Sequence, residues 1–180
     1  MHSSLRFASV LLLALVSSLS AETPSFRNDI LPIFSKANCN SGGCHGALAG
    51  KGGFRLSLFG YDPESDYRTI TRESRGRRIE LADPGRSLLL TKPTTAVAHK
   101  GGKRLETQGA DYRAIAQWIA AGAPGPKPND PKLVDLSISP KDSLAAPGDT
   151  RQLQVQATFG DGRTRDVTPW AKFTSTDETV

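Results

Sequence analysis

The string Cys39-Asn40-Ser41-Gly42-Gly43-Cys44-His45 is where residue type and spacing together point to chemistry. Two thiols followed directly by an imidazole are the set that covalent attachment of a c-type haem requires. Each thiol reaches one vinyl group of the porphyrin, and the histidine falls on the iron. The common form separates the cysteines by two residues, whereas here four residues intervene. Gly42 and Gly43 are expected to let the longer loop close, because glycine takes backbone angles that other residues avoid. Three other chemistries compete for the same residues. A Cys39–Cys44 disulfide explains the thiols but leaves His45 without a role. A zinc site needs a fourth donor, for which only acids or His99 remain. A redox-active thiol pair ordinarily has two residues between its cysteines.

If an iron is held by His45, its second axial ligand can be narrowed by elimination. Methionine or histidine is the usual partner. The only methionine is Met1, and the only histidines are His2, His45 and His99. His99 is therefore the expected second ligand. The alternatives are an exposed His99 with a five-coordinate iron, or ligation by Lys100 or Lys103.

The elements that would position these groups can be read from patterning. Phe26, Ile30, Ile33 and Phe34 have helical spacing, so a helix is expected over 22–38, with Asp29 as cap and Pro32 in its first turn. Phe54, Leu56 and Leu58 alternate with polar residues as in a short strand. Asp62-Pro63 reads as a turn. The basic stretch Arg72 to Arg78 reads as a solvated loop, or as a contact for haem propionates. Asp83-Pro84-Gly85 opens a short helix capped by Asp83 that runs to Pro93. Tyr112, Ile115, Trp118 and Ile119 form one apolar face of a last helix, stopped by Gly122 and Pro124.

Residues 1–21 read as a secretory signal, with Arg6 as the positive segment, Val10 to Val16 as the apolar core and cleavage after Ala21. An uncleaved anchor is the alternative. The chain is thus expected to be exported, to periplasm or cell surface. Its 180 residues carry a formal charge of +5. That modest excess suits acidic partners, and no aromatic-plus-basic stripe indicates nucleic acid. No serine–histidine–acid set or phosphate loop marks an active site, so an electron carrier is expected rather than an enzyme.

A proline-rich linker, 126–132, precedes a switch to period-two patterning. Leu133 to Ile138 and Leu153 to Ala157 read as strands, and Pro147-Gly148-Asp149 and Gly160-Asp161-Gly162 as turns. About 48 residues follow the linker, fewer than the roughly 100 of a full sandwich. A longer parent protein is expected on that ground.

Several motifs carry a resemblance. Ile30-Leu31-Pro32-Ile33-Phe34, Lys51-Gly52-Gly53-Phe54-Arg55-Leu56, Asp83-Pro84-Gly85-Arg86-Ser87-Leu88-Leu89 and Trp118-Ile119-Ala120-Ala121-Gly122-Ala123, taken with the cysteine–histidine string, resemble the planctomycete-type cytochrome c domain. Val97-Ala98-His99 stands where family members often have Met-Pro-Pro. Leu136-Ser137-Ile138-Ser139-Pro140, Gln152 to Phe159, Asp161 to Thr168 and Trp170 resemble the first half of a group 2 bacterial immunoglobulin-like domain. The resemblance implies a mainly α cytochrome c-like haem domain over 22–125, followed by a partial all-β Ig-like sandwich over 133–180. It further implies haem c on Cys39 and Cys44, His45 and His99 as iron ligands, an unidentified redox partner, and envelope or cell-surface partners for the Ig-like part. The expectation from another class is a non-redox surface protein, with a disulfide-stapled N-terminal domain and an Ig-like binding domain.

Overall fold

A computed structural model describes residues 22–177; the expected signal segment, 1–21, lies outside them. Ser25 starts the first helical segment. Its hydroxyl accepts from the Asn28 amide (3.2 Å), and its own amide donates to the Asp29 carboxylate (2.7 Å). These reciprocal bonds satisfy two amides that a helix start leaves free. The cap is thus Ser25, and the expected cap Asp29 is its partner. A wide turn over Phe26–Ile30 runs directly into α1, Leu31–Lys36. Helix α2, Pro63–Thr71, is capped by Asp62, whose carboxylate accepts from the Ser65 amide (3.0 Å). Short α3, Leu88–Thr91, and α4, Ala110–Ala120, follow.

Helix α4 stops as its sequence dictates. Gly122 takes a left-handed conformation (φ 87°), and the amides of Gly122 and Ala123 bond back to Ile119 and Trp118 (2.9 Å each). This closes the last turn by the glycine-based motif.

The expectation of a mainly α, cytochrome c-like architecture does not hold. The four α-helices contain 6, 9, 4 and 11 residues, and irregular chain carries most of the rest. Helices this short do not persist on propensity alone. Between α1 and α2 the chain turns through left-handed Asn38, Gly50, Gly52, Gly53, Phe59 and Gly60. The strand expected at 54–58 is absent too: Lys51 and Phe54 form one isolated bridge, and Leu58–Gly60 is a 3-10 turn.

The helices nevertheless share one core. Phe26, Ile30, Ile33, Ile70, Leu90, Ile115, Trp118 and Ile119 are almost fully buried. The Phe26 ring lies 5.4 Å from Trp118 and 5.5 Å, edge-on, from Tyr67. No helix of the described residues is long and apolar enough to cross a membrane.

The expected sandwich is also corrected. Strands β1 (Leu133–Ser139), β2 (Gln154–Phe159) and β3 (Thr164–Asp166) form a single antiparallel sheet in that order. Leu136 pairs with Ala157 and Ile138 with Val155. Val155, Ala157 and Phe159 are buried, but β1 is exposed along its length. Among the described residues no second sheet packs on this one; the segment around β3 instead packs on the helical part. Arg165 bonds the Asp29 carboxylate and the Asn28 carbonyl and lies over the rings of Phe159 and Trp170. Trp170 donates to Asp111 (3.1 Å), Lys36 to the Ala171 carbonyl (2.6 Å), and Lys172 to the Asn38 side chain.

Arg165→Met should loosen this junction. The pair with Asp29 is part-exposed, so the loss should be roughly 1 kcal/mol in urea unfolding. Trypsin should also cut faster at exposed Lys132, which ends the linker and is followed by Leu133. An unchanged cleavage rate would show that the junction does not depend on Arg165.

Candidate cofactor site

Cys39, Cys44, His45 and His99 line one cavity of about 880 Å³, within the size range of cofactor sites. Each is placed by identifiable backbone bonds. The Cys39 amide donates to Phe34 at the end of α1 (2.8 Å), and the His45 amide donates to the Cys39 carbonyl (3.0 Å). The loop between them is therefore a tight hairpin closed on itself. The His45 carbonyl accepts from the Leu56 amide (2.7 Å). The neighbouring Ser57 is held by the buried Asp66 carboxylate of α2, through its amide and its hydroxyl. A chain of bonds thus runs from α2 to the histidine.

The glycines expected to close the loop are not the ones that do so. Gly42 and Gly43 have no left-handed angle, and a Cβ at either would meet nothing within 4 Å. Gly46 is the constrained position. A Cβ there would stand 2.1 Å from the Asn40 carbonyl oxygen. Gly46→Ala should therefore displace the loop backbone and cost on the order of 2 kcal/mol as overpacking, whereas Gly42→Ala should be near neutral. Equal unfolding midpoints for the two variants would refute this assignment.

The His45 ring is oriented by Phe54. Its Nδ1 lies 2.9 Å from the Phe54 carbonyl, and the two rings are 4.6 Å apart. A carbonyl can only accept, so Nδ1 carries the proton and the lone pair resides on Nε2. His99 repeats the arrangement, with Nδ1 2.9 Å from the Gly102 carbonyl. Both histidines thus have the orientation typical of metal-bound imidazoles, with one nitrogen fixed by a backbone acceptor. Burial lowers the His45 pKa, aided by His99 and the Lys51 charge and opposed by the Phe54 and Lys51 carbonyls. The ring is accordingly neutral at pH 7, as a ligand must be.

The two rings are 6.3 Å apart, centre to centre, with planes only 16° from parallel. Two imidazoles bound to one metal from opposite sides, with bonds of about 2 Å, have ring centres roughly 6 Å apart. The ring-centre distance matches that figure, and the two rings are stacked. Among the described residues no group of three or more His, Cys, Asp or Glu side chains could hold a metal.

Both cysteines are half-buried free thiols. Burial pushes the Cys39 thiol up to about 11, with Cys44 adding to the rise and Arg104 opposing it. A redox-active pair needs a lowered pKa, so this environment disfavours that chemistry. The cavity floor is apolar, with Phe34, Phe54, Leu56, Leu89 and Leu105. Cations supply the polar lining: Lys51, Arg77, Arg78, Lys92, Lys100 and Arg104, with no carboxylate. Such a wall suits a flat apolar group that bears acid substituents, as haem does.

The basic stretch is only partly solvated. Arg78 is buried, bonds the carbonyls of Thr69 (2.6 Å) and Glu73 (3.2 Å), and lies 4.6 Å over the Phe54 ring. It thus packs on the same Phe54 ring that His45 meets, and its carbonyl accepts from the Leu89 amide (3.0 Å). Sequence patterning gave no sign of this role, nor of the Phe54 carbonyl. Gly101 was also missed as a functional position. A Cβ there would lie 2.7 Å from Cε1 of His99 and 3.1 Å from its Nε2. Gly101→Ala should push the His99 ring off its present position with little loss of global stability, about 1 kcal/mol or less. The test is the separation of the two imidazoles by NMR contacts, which should weaken while the unfolding midpoint holds.

No protein-family model, curated protein or solved structure matches the chain.

Proposed function

We propose that this chain is an exported single-electron carrier that holds one haem covalently through Cys39 and Cys44, with His45 and His99 as axial iron ligands. The observation that carries the reading is the placement of both thiols on one cavity with two imidazoles 6.3 Å apart, each fixed through Nδ1. The haem, when bound, supplies an iron that alternates between ferric and ferrous states.

Cys39 and Cys44 would each add across one vinyl group, sulfur to one carbon and the thiol hydrogen to the other. The addition consumes no oxidant or reductant. His45 and His99 would both hold the iron, and two protein ligands to the iron favour electron transfer over oxygen or peroxide chemistry. Replacing the customary methionine by histidine lowers the expected potential. The apolar floor would exclude water from the ring, and the cations would take its acid groups. The reading needs only this local arrangement and no cytochrome c-like architecture.

Mass spectrometry of the chain, expressed with a haem-maturation system, tests the reading directly. Haem adds roughly 0.6 kDa, whereas a disulfide removes two hydrogens. The first result, with a start at Glu22, is expected. The second would favour the surface-protein alternative, and an unmodified colourless chain would overturn the proposal.

A further inference from the structure

The cations of the cofactor cavity outnumber the acid groups that a haem brings. Lys51, Arg77, Arg78, Lys92, Lys100 and Arg104 all line it. Among the described residues none of the six makes an ion pair with a carboxylate. Lys51, Arg77, Lys100 and Arg104 are exposed, while Arg78 is buried among carbonyls. The whole chain has a net charge of only +5, so the rest of the molecule is close to neutral. The positive pole therefore lies at the mouth of one cavity, and two haem acid groups would leave most of it uncompensated.

We infer that this mouth is the docking surface for the redox partner, and that the partner presents an acidic protein face. The inference rests on the electron-transfer reading and names the class of partner for the same site. A localised charge of this kind steers encounter and fixes orientation. It brings an acidic face to the edge where His99 and the cysteines lie. The cations ring a concavity with an apolar floor, whereas attraction to an anionic lipid surface is the habit of basic residues along a flat amphipathic helix. With the haem filling the concavity, the exposed rim cations Lys51, Arg77, Lys100 and Arg104 remain for an acidic protein face.

The test uses the mature chain as purified, with its haem content first fixed by mass. Poly-glutamate is titrated against it by calorimetry at low and high salt, beside vesicles containing anionic phospholipid. Poly-glutamate should bind, and binding should fade as the Debye length falls below about 10 Å above 0.1 M salt. The double variant Lys51→Glu, Arg77→Glu should weaken it by about tenfold or more. Lys141→Glu, an exposed site away from the cavity, should leave it unchanged. Equal loss in the Lys141→Glu control, no binding, or binding to vesicles alone would overturn the inference. A haem-bearing chain that ignores poly-glutamate would remove the docking surface and leave electron transfer standing. Poly-glutamate binding by a haem-free chain would do the reverse.

Discussion

His99→Ala is expected to leave the covalent haem mass intact and to turn a low-spin spectrum into a high-spin one. Attachment depends on Cys39 and Cys44, which the substitution does not touch. His45 keeps its Phe54 carbonyl and its backbone bonds to Cys39 and Leu56. Only the place of the His99 ring opens. Added imidazole should restore the low-spin spectrum, because it returns the missing nitrogen donor without the tether. A merely structural histidine would show no such rescue. An unchanged low-spin spectrum would remove His99 from the ligand set and turn attention to Lys100 or Lys103. Gly101→Ala, which crowds the same ring, should give a milder mixture of the two spectra.

Trp118→Ala should cause the largest loss of stability, about 3–5 kcal/mol. Trp118 is fully buried, packs on Phe26 and donates from Nε1 to the Pro124 carbonyl (2.9 Å). The substitution opens a cavity beneath the wide first turn and leaves that carbonyl without its partner. For a chain of this size the melting temperature should fall by about 2–4 °C per kcal/mol. Trp118→Phe keeps most of the packing and should lose considerably less. The urea midpoint is the measurement, with the slope held constant to exclude a change in cooperativity. A shift under 1 kcal/mol for the alanine variant would mean that α4 does not anchor the core as described.

The sequence revealed these parts unevenly. Helix α4 was legible because its apolar face, glycine stop and following proline all agree. Helix α2 was not, because Asp62-Pro63 serves equally as a turn or as a cap with proline at the first helical position. The Phe54–Leu58 alternation suggested a strand, yet left-handed residues on both sides deny it a long partner. The overall class failed for a related reason. Motifs around the cysteines and the last helix suggested a helical domain, but the long connections between them hold little helix. In the candidate site, elimination pointed to His99 because so few ligand types exist in the chain, and His99 does line the cavity. It could not find Gly46, Gly101 or Arg78. Their roles rest on close approaches between segments distant in sequence, which spacing does not encode.

The contact of Lys172 with Asn38 has a consequence for timing. Asn38 precedes Cys39 directly, and the two residues are 134 positions apart. A ribosome adds about 5–20 residues per second, N-terminal end first. The cysteine loop therefore emerges roughly 7–27 seconds before the segment that braces it from outside. During that interval Cys39, Cys44 and His45 are already made, but their outer support is not. Arg165, Trp170 and Lys172 therefore complete the packing around α1 and the start of the loop last, and a chain cut short before them would lack that outer support.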